Sequence, residues 1–380
     1  MAKRANQELY EFNKRFLEGL YEEPGHKLVK TMAMMLTGVI IGQHVQLWMI
    51  AVNLPFAPQL QSMVRRFERF LADPRVDVKV YFEPFVLAMH AALGQEIAYV
   101  ILDCTQAGPK CRTLVAGLVY HGTVLPLAWK TYKGKKGHLQ GEKHRDLLTE
   151  IWPYLRYHHQ VIVLGDAEFS SHPVIAWLKE KQWDFVLRFQ HRYQVQLTSD
   201  GEWQTMLAVY QQAGLKQGQV RHWSWASFTE KHQLDHCTLT VHWGQGEDEP
   251  LCLVSSLPPG LNPHLIYALR PCIETLFGNQ KSRGFQLART HMTDPEHIDR
   301  LFLILAIATC MMLGLGTHLF IIGHSKVVDR TDRRDLSLFQ LGYRYLLRLV
   351  ALDRLHEFKM YFRWDFKLPP PGFQKAYLLA

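Results

Sequence analysis

Between Leu301 and Gly323 the chain runs for 23 residues without a charged side chain, LFLILAIATCMMLGLGTHLFIIG. A run this long and apolar has two physical outcomes. It crosses a bilayer, whose hydrocarbon core asks for about 20 such residues, or it is a helix apolar on every side at the centre of a large fold. A second run, 31–56, is nearly as apolar but contains Gln43 and His44. Gly314, Gly316, Thr317 and His318 crowd the second half of the first run. Mean hydropathy over the chain is slightly negative, at −0.12. Burial in an α/β core is therefore expected, with no membrane partner.

Such a helix needs a sheet to lie against, and the sequence supplies one. The 380 residues, 48% hydrophobic and 12% aromatic, are enough for one large or two to three ordinary domains. Residues 1–95 read as helical: 9–20, an apolar helix or helix pair over 26–53, 60–71, and a short helix over 84–94. Residues 96–190 change character. Apolar runs at 97–103, 114–120 and 124–132 read as strands, with His121-Gly122 as a hairpin signal. A helix over 142–155, a strand over 161–165, a helix over 173–181 and a strand over 184–189 follow. The order β-β-β-α-β-α-β predicts a mixed sheet with helices on its faces. Residues 191–257 hold short alternating runs at 193–197, 218–228, 237–243 and 251–255, a β-strand insertion. Residues 258–323 return to helix. Residues 324–380 are polar and basic, with a helix over 336–352 and a tail containing Pro369–Pro371.

The chemistry-bearing residues sit at the ends of these elements. Asp103 closes the run VILD and Asp166 closes VIVLGD, so two carboxylates are expected at one edge of the sheet, where ligands collect. Tyr267, Arg270, Glu274 and Lys281 lie at spacings of 3, 4 and 7, which return to one line on a single helix across Asn262–Arg289. Asn262 is expected to cap that helix, with Pro263 in its first turn, and Gly278 to weaken its far end. Such a face is either a solvated stripe with i, i+4 pairing or a carboxylate flanked by phosphate-gripping cations. Three converging acids need a counter-charge, and an all-oxygen set points to Mg²⁺ or Mn²⁺, not zinc. Two such ions suit a phosphodiester reaction. The six cysteines form no CxxC pair and read as reduced thiols of a cytosolic protein. No signal peptide is visible. A net charge of +8 leans toward a polyanionic partner. The Arg65, Arg66 and Arg69 group, the segment 130–145 and the segment 330–334 each suit either a phosphate backbone or a solvated surface.

The Y-x2-R-x3-E-x6-K pattern of Tyr267, Arg270, Glu274 and Lys281, with LDCT around Asp103, GDAEF around Asp166, FVLRF beyond it and a β insertion before Glu274, resembles bacterial insertion-sequence transposases of the DDE cut-and-paste type. The likeness spans roughly residues 60–350 and departs from the family pattern at Ala167-Glu168 and in the N-terminal region. It implies an RNase H-like α/β catalytic core split between 96–190 and 258–323, around the 191–257 insertion. It also implies a helical region, 1–95, that reads the terminal inverted repeats, and a basic C-terminal region, 324–380. Asp103, Asp166 and Glu274 would be the catalytic acids holding two Mg²⁺ (or Mn²⁺) ions. Tyr267, Arg270, Lys281 and Arg188 would grip the DNA end. Relatives with this insertion cut the second strand through a hairpin and flip a base onto a Trp; of Trp223, Trp225 and Trp243, Trp225 is the candidate here. The implied partners are double-stranded DNA, as transposon ends and target, and a second copy in a homodimer. The implied location is the cytoplasm, on the nucleoid when DNA is bound. The rivals are a transposase-derived DNA-binding protein without catalysis and an RNase H-like nuclease without strand transfer.

Overall fold

The computed structural model describes residues 2–361 apart from 22–25, 57–58, 94–96, 135–138 and 157. Helices open the chain: α1 (Ala2–Glu18), α2 (His26–Gly42), α3 (Leu47–Val52), α4 (Leu60–Ala72) and α5 (Val78–Leu93). The apolar stretch 26–53 is thus a helix pair. The helix α5 begins before Pro84, contrary to the expected start there. The Asp77 carboxylate accepts the N–H groups of Lys79 and Val80 (2.9 and 3.1 Å) and supplies the cap, so Pro84 lies inside the helix.

The core follows in the expected order: β1 (Ile97–Gln106), β2 (Cys111–Tyr120), β3 (Thr123–Lys133), α6 (Gly141–Leu155), β4 (Gln160–Gly165), α7 (His172–Glu180) and β5 (Asp184–Phe189). His121 (φ 46) and Gly122 (φ 77) form the two-residue turn of the β2–β3 hairpin, where Tyr120 pairs with Thr123. The insertion contributes β6 (Gln194–Gln196), β7 (Gln204–Thr205), α8 (Met206–Gln212), β8 (Gln219–Phe228), β9 (Leu234–Trp243) and β10 (Leu251–Ser255). Helix α8 was not expected; the Thr205 hydroxyl caps it by accepting the Ala208 N–H. The described residues close with α9 (Pro263–Tyr267), α10 (Cys272–Gln280), α11 (Pro295–Ile321), α12 (Leu338–Ala351) and α13 (Leu355–Tyr361).

All the strands join one ten-stranded sheet, ordered β3-β2-β1-β4-β5-β10-β9-β8-β6-β7. Strands β1, β4 and β5 are parallel, and the other pairings are antiparallel. This mixed sheet, with helices packed on it, agrees with the α/β class that the resemblance implies. The insertion extends the same sheet, because β10 pairs directly with β5. Alternation along a strand reveals a half-buried ribbon but not which neighbour it will pair with.

Helix α11 carries the apolar run, and its most hydrophobic stretch is entirely buried inside the protein. The Asp294 carboxylate caps its start by accepting the N–H groups of Glu296 and His297. The carbonyl of Asp299 accepts the Trp129 indole N–H (3.1 Å) and its carboxylate the Thr131 N–H (2.8 Å). Arg300 donates to the carbonyls of Leu71 and Val76. Where α11 crosses α12 the two backbones touch. A Cβ on Gly316 would lie 1.8 Å from the Leu338 carbonyl oxygen, and one on Gly342 would lie 2.1 Å from that of Met312. Of the glycines in this run, Gly316 serves that crossing.

Candidate active site

The register of the central strands brings Asp103 and Asp166 together. Strand β1 does not end at Asp103 as expected. Its antiparallel ladder with β2 continues to the Gln106–Arg112 pair. The parallel ladder on the other side stops at Leu102–Gly165. Asp103 is the next residue on β1 and Asp166 the first beyond β4, so the two carboxylates stand in step where the strands part.

The third acid arrives on a broken helix. The expected continuous helix over Asn262–Arg289 is two helices, because Pro271 lacks an N–H and its ring would collide with the carbonyl four residues back. Helix α9 ends at Tyr267. Bonds from Arg270 N–H to the Tyr267 carbonyl, Cys272 to Leu269 and Glu274 to Pro271 then carry the chain round into α10. Asn262 makes no side-chain cap; it adopts a left-handed conformation (φ 49), and its carbonyl accepts the Leu265 N–H. Gly278 does not fray α10. It leaves room for Arg283, whose guanidinium would be 2.0 Å from a Cβ there and donates to the Glu274 carbonyl. Lys281 lies just past α10.

The break leaves Arg270 among the acids. Its Nη2 is 2.8 Å from Asp103 Oδ2 and 3.7 Å from Asp166 Oδ2, and its Nη1 is 3.0 Å from Glu274 Oε1. The other oxygen of each aspartate accepts a backbone N–H: Asp103 Oδ1 from Cys104 at 2.7 Å and Asp166 Oδ1 from Glu168 at 2.9 Å. The cluster grades from a buried floor to an open rim, with side-chain exposures of 13% for Asp103, 17% for Arg270, 39% for Asp166 and 65% for Glu274. Burial pushes the Asp103 carboxyl up to about 6, against the pull of Arg270 and the Cys104 N–H. The floor of the site is thus short of positive charge even with Arg270 in place.

The remaining signature residues border the same floor. Tyr267 is buried, which pushes its phenol up to about 12 while Arg270 and Arg188 pull it back. Lys281 is half-buried; burial lowers its pKa and the charge of Asp103 raises it. Arg188 is exposed on β5 and, with Asp166, His191, Arg192 and Glu249, lines a cavity of about 460 Å³. Among the described residues, no three His, Cys, Asp or Glu side chains are grouped closely enough to share one ion as they stand. Arg270 supplies the shared counter-charge. The donor set nevertheless suits Mg²⁺ or Mn²⁺, being carboxylate oxygen only, with its two outer members open to solvent.

The other candidates lie apart from this cluster. Trp225 is 76% exposed on β8, which β10 and β9 separate from β5. Strand alternation predicts that Trp223 and Trp225 share a face. Instead the β8–β9 ladder is irregular between Trp223 and Ala226, and Trp225 takes a left-handed backbone (φ 60), its ring edge-on to His236. Two of the three arginines in 330–334 pair locally, Arg330 with Asp332 and Arg333 with Asp335, and Arg334 lies over the Phe320 ring. In the basic segment 130–145, Lys130 pairs with Asp299 and Lys143 lies over the Tyr132 ring, while 135–138 fall outside the described residues. Arg66 donates to Thr31, whereas Arg65 and Arg69 are exposed and, with Leu47, Glu68, Met292 and His297, line a cleft of about 860 Å³. All six cysteines are free thiols, four of them buried.

Glu168 was noted in the sequence only as a departure from the family pattern. Its carboxylate is 6% exposed and meets Arg112 Nη2 at 3.1 Å, the Leu139 N–H at 2.7 Å and His144 Nε2 at 3.5 Å. Burial opposes its charge, yet His144, the Leu139 N–H and Arg112 together hold it down to about 2. Nothing local announces this, because its partners come from positions 112, 139 and 144.

A comparison with curated proteins finds no match. Among solved structures, a cryo-EM structure of piggyBac transposase in a synaptic complex with hairpin DNA aligns at a TM-score of 0.42 and 10% identity, covering 98% of this chain and 81% of that one. The family model for the transposase DDE domain matches residues 98–311, from the first core strand into α11, and takes in every residue of the acid cluster. With more than half of its length matched, the chain belongs to the transposase DDE domain family.

Proposed function

We propose that this chain is a divalent-cation-dependent DNA transposase that works as a homodimer. It cuts at the terminal inverted repeats, separates the second strand through a hairpin, and transfers the freed 3′-OH into target DNA. The observation that carries this is the meeting of Asp103, Asp166 and Glu274 around the guanidinium of Arg270, from three elements distant in sequence. Asp103, Asp166 and Glu274 would hold two Mg²⁺ or Mn²⁺ ions, whose charge polarises the scissile phosphate and activates the attacking oxygen. Arg270, released from the acids, and Lys281 grip the phosphate at the cut end, with the Tyr267 hydroxyl as a neutral donor. Arg188 extends that grip along the strand beside Asp166. Trp225 offers an exposed ring for a flipped base. Residues 1–95 read the end sequence, and the protein acts in the cytoplasm, on the nucleoid.

Purified full-length protein, a plasmid carrying the reading frame with its flanking DNA, and Mn²⁺ provide the test. Asp103→Ala, Asp166→Ala and Glu274→Ala are each expected to lose cleavage while DNA retention stays near that of the parent, because each removes an oxygen ligand and not a DNA contact. Substantial cleavage by any one of the three contradicts the assignment. Binding without cutting by the parent favours an inactive derivative, and nicks without joined strands favour a simple nuclease.

A further inference from the structure

We propose that Glu168 is the positioning residue of the acid cluster, a buried carboxylate that fixes the turn aiming Asp166 and ties it to β2 and to the basic segment entering α6. This rests on the transposase function above. Four parts of the chain meet at this one side chain. It stands in the turn after β4, where its own N–H holds Asp166 Oδ1 and the Phe169 N–H closes onto the Asp166 carbonyl at 3.0 Å. Its Oε2 accepts Arg112 of β2, and its Oε1 accepts the Leu139 N–H with His144 of α6 close by. The thiol of Cys104, directly after Asp103 on β1, is 3.9 Å from the same Oε1.

The arrangement is more than a surface ion pair. A buried carboxylate is stable only while its donors are in place, and a side-chain guanidinium, a backbone N–H and a wholly buried imidazole reach it together at one setting of the turn. Asp166 is more open and is fixed by the Glu168 N–H and the longer contact to Arg270. The carboxylate of Asp166 therefore follows the turn, and the turn follows the carboxylate of Glu168. The bond to Leu139 also fixes the chain two residues before α6 begins at Gly141.

Glu168→Gln keeps the volume but turns one acceptor oxygen into an NH₂ group; the remaining oxygen stays with the charged Arg112 guanidinium, so the NH₂ faces the Leu139 N–H and leaves that donor without its partner. The test uses full-length parent, Glu168→Gln, Arg112→Gln and an Asp103→Ala control, with three readouts: thermal midpoint, hydrogen exchange at the Leu139 amide, and plasmid cleavage across a Mn²⁺ titration. Glu168→Gln should keep the parent's DNA retention and folded fraction. Its Leu139 amide should exchange faster, its cleavage should fall about 10–100-fold, and its half-saturating Mn²⁺ should rise, as when the outer partner of a metal ligand is removed. Arg112→Gln should produce the same changes more weakly, and it decides the matter if Glu168→Gln does not fold. Exchange at the parent rate overturns the clasp, and cleavage at the parent rate, or a fall no larger than the loss of folded protein, overturns the positioning role. If Asp103→Ala cuts as the parent does, the transposase function itself fails and exchange alone judges the clasp.

Discussion

Arg270→Met keeps much of the side-chain bulk and removes the charge shared by the three acids. The pair with Asp103 is nearly buried at both ends, whereas Asp166 and Glu274 reach solvent. Removing one partner of a buried pair costs about 3–5 kcal/mol, and the small residual exposure puts this one near about 3 kcal/mol. The two open pairs add about 0–1 kcal/mol each, because water and salt screen them. The sign of the pH dependence follows from Asp103. Its folded pKa, at about 6, is above the usual 3.8, so the stability it contributes is complete below 3.8 and is lost as pH rises through about 6. Without Arg270 the folded pKa moves higher still. The deficit of the variant should therefore be full at about pH 8, where Asp103 is charged and unpaired, and largely gone at about pH 5, where it is protonated. Urea unfolding followed by tryptophan fluorescence, in EDTA at both pH values and then with Mn²⁺ at the higher one, measures this. We expect Mn²⁺ to narrow the gap by replacing the lost charge. A gap of equal size at both pH values would refute the reasoning, since it would mean that Arg270 acts by packing and not by charge.

Gly316→Ala should destabilise the fold by at least about 1–3 kcal/mol, the cost of an overpacked core, and lower the thermal midpoint with it, because its new carbon would meet a backbone carbonyl that cannot swing aside. An unchanged midpoint would show that α12 can move off α11 freely. Trp225→Ala should change stability by no more than about 0.5 kcal/mol, the ring being exposed. It should also cut hairpin products about 5- to 150-fold if the ring stacks a base worth about 1–3 kcal/mol. Normal hairpin yield would remove Trp225 from the site.

The sequence made most of the core readable. The apolar run before Asp166, the His121-Gly122 turn and the long uncharged helix became elements at the expected places, and the run before Asp103 became a strand that continues to Gln106, because each is set by local burial or local backbone preference. The pairing of Arg270 with Glu274 was legible from their spacing, although Pro271 breaks the helix that the spacing assumed. Three things were not legible. That β10 joins β5 depends on strand pairing, which alternation does not encode. The irregular ladder between Trp223 and Ala226, with Trp225 left-handed, has no glycine or proline to announce it. Glu168 stands in the sequence only as a departure from the family pattern, and its partners come from β2 and α6.

The seam between β5 and β10 has a mechanical consequence. One row of cross-strand neighbours runs from Arg188 through Leu253 and Thr240 to His222, three residues before Trp225. On its other flank β5 holds Gly165, which directly precedes Asp166, against Leu187. Strands in a ladder twist together, so a push on the outer hairpin travels through peptide bonds and rungs to the strand beneath the acids. Paired rung by rung in this way, the outer hairpin is expected to move with the sheet that carries the acids and not as a loosely hung flap.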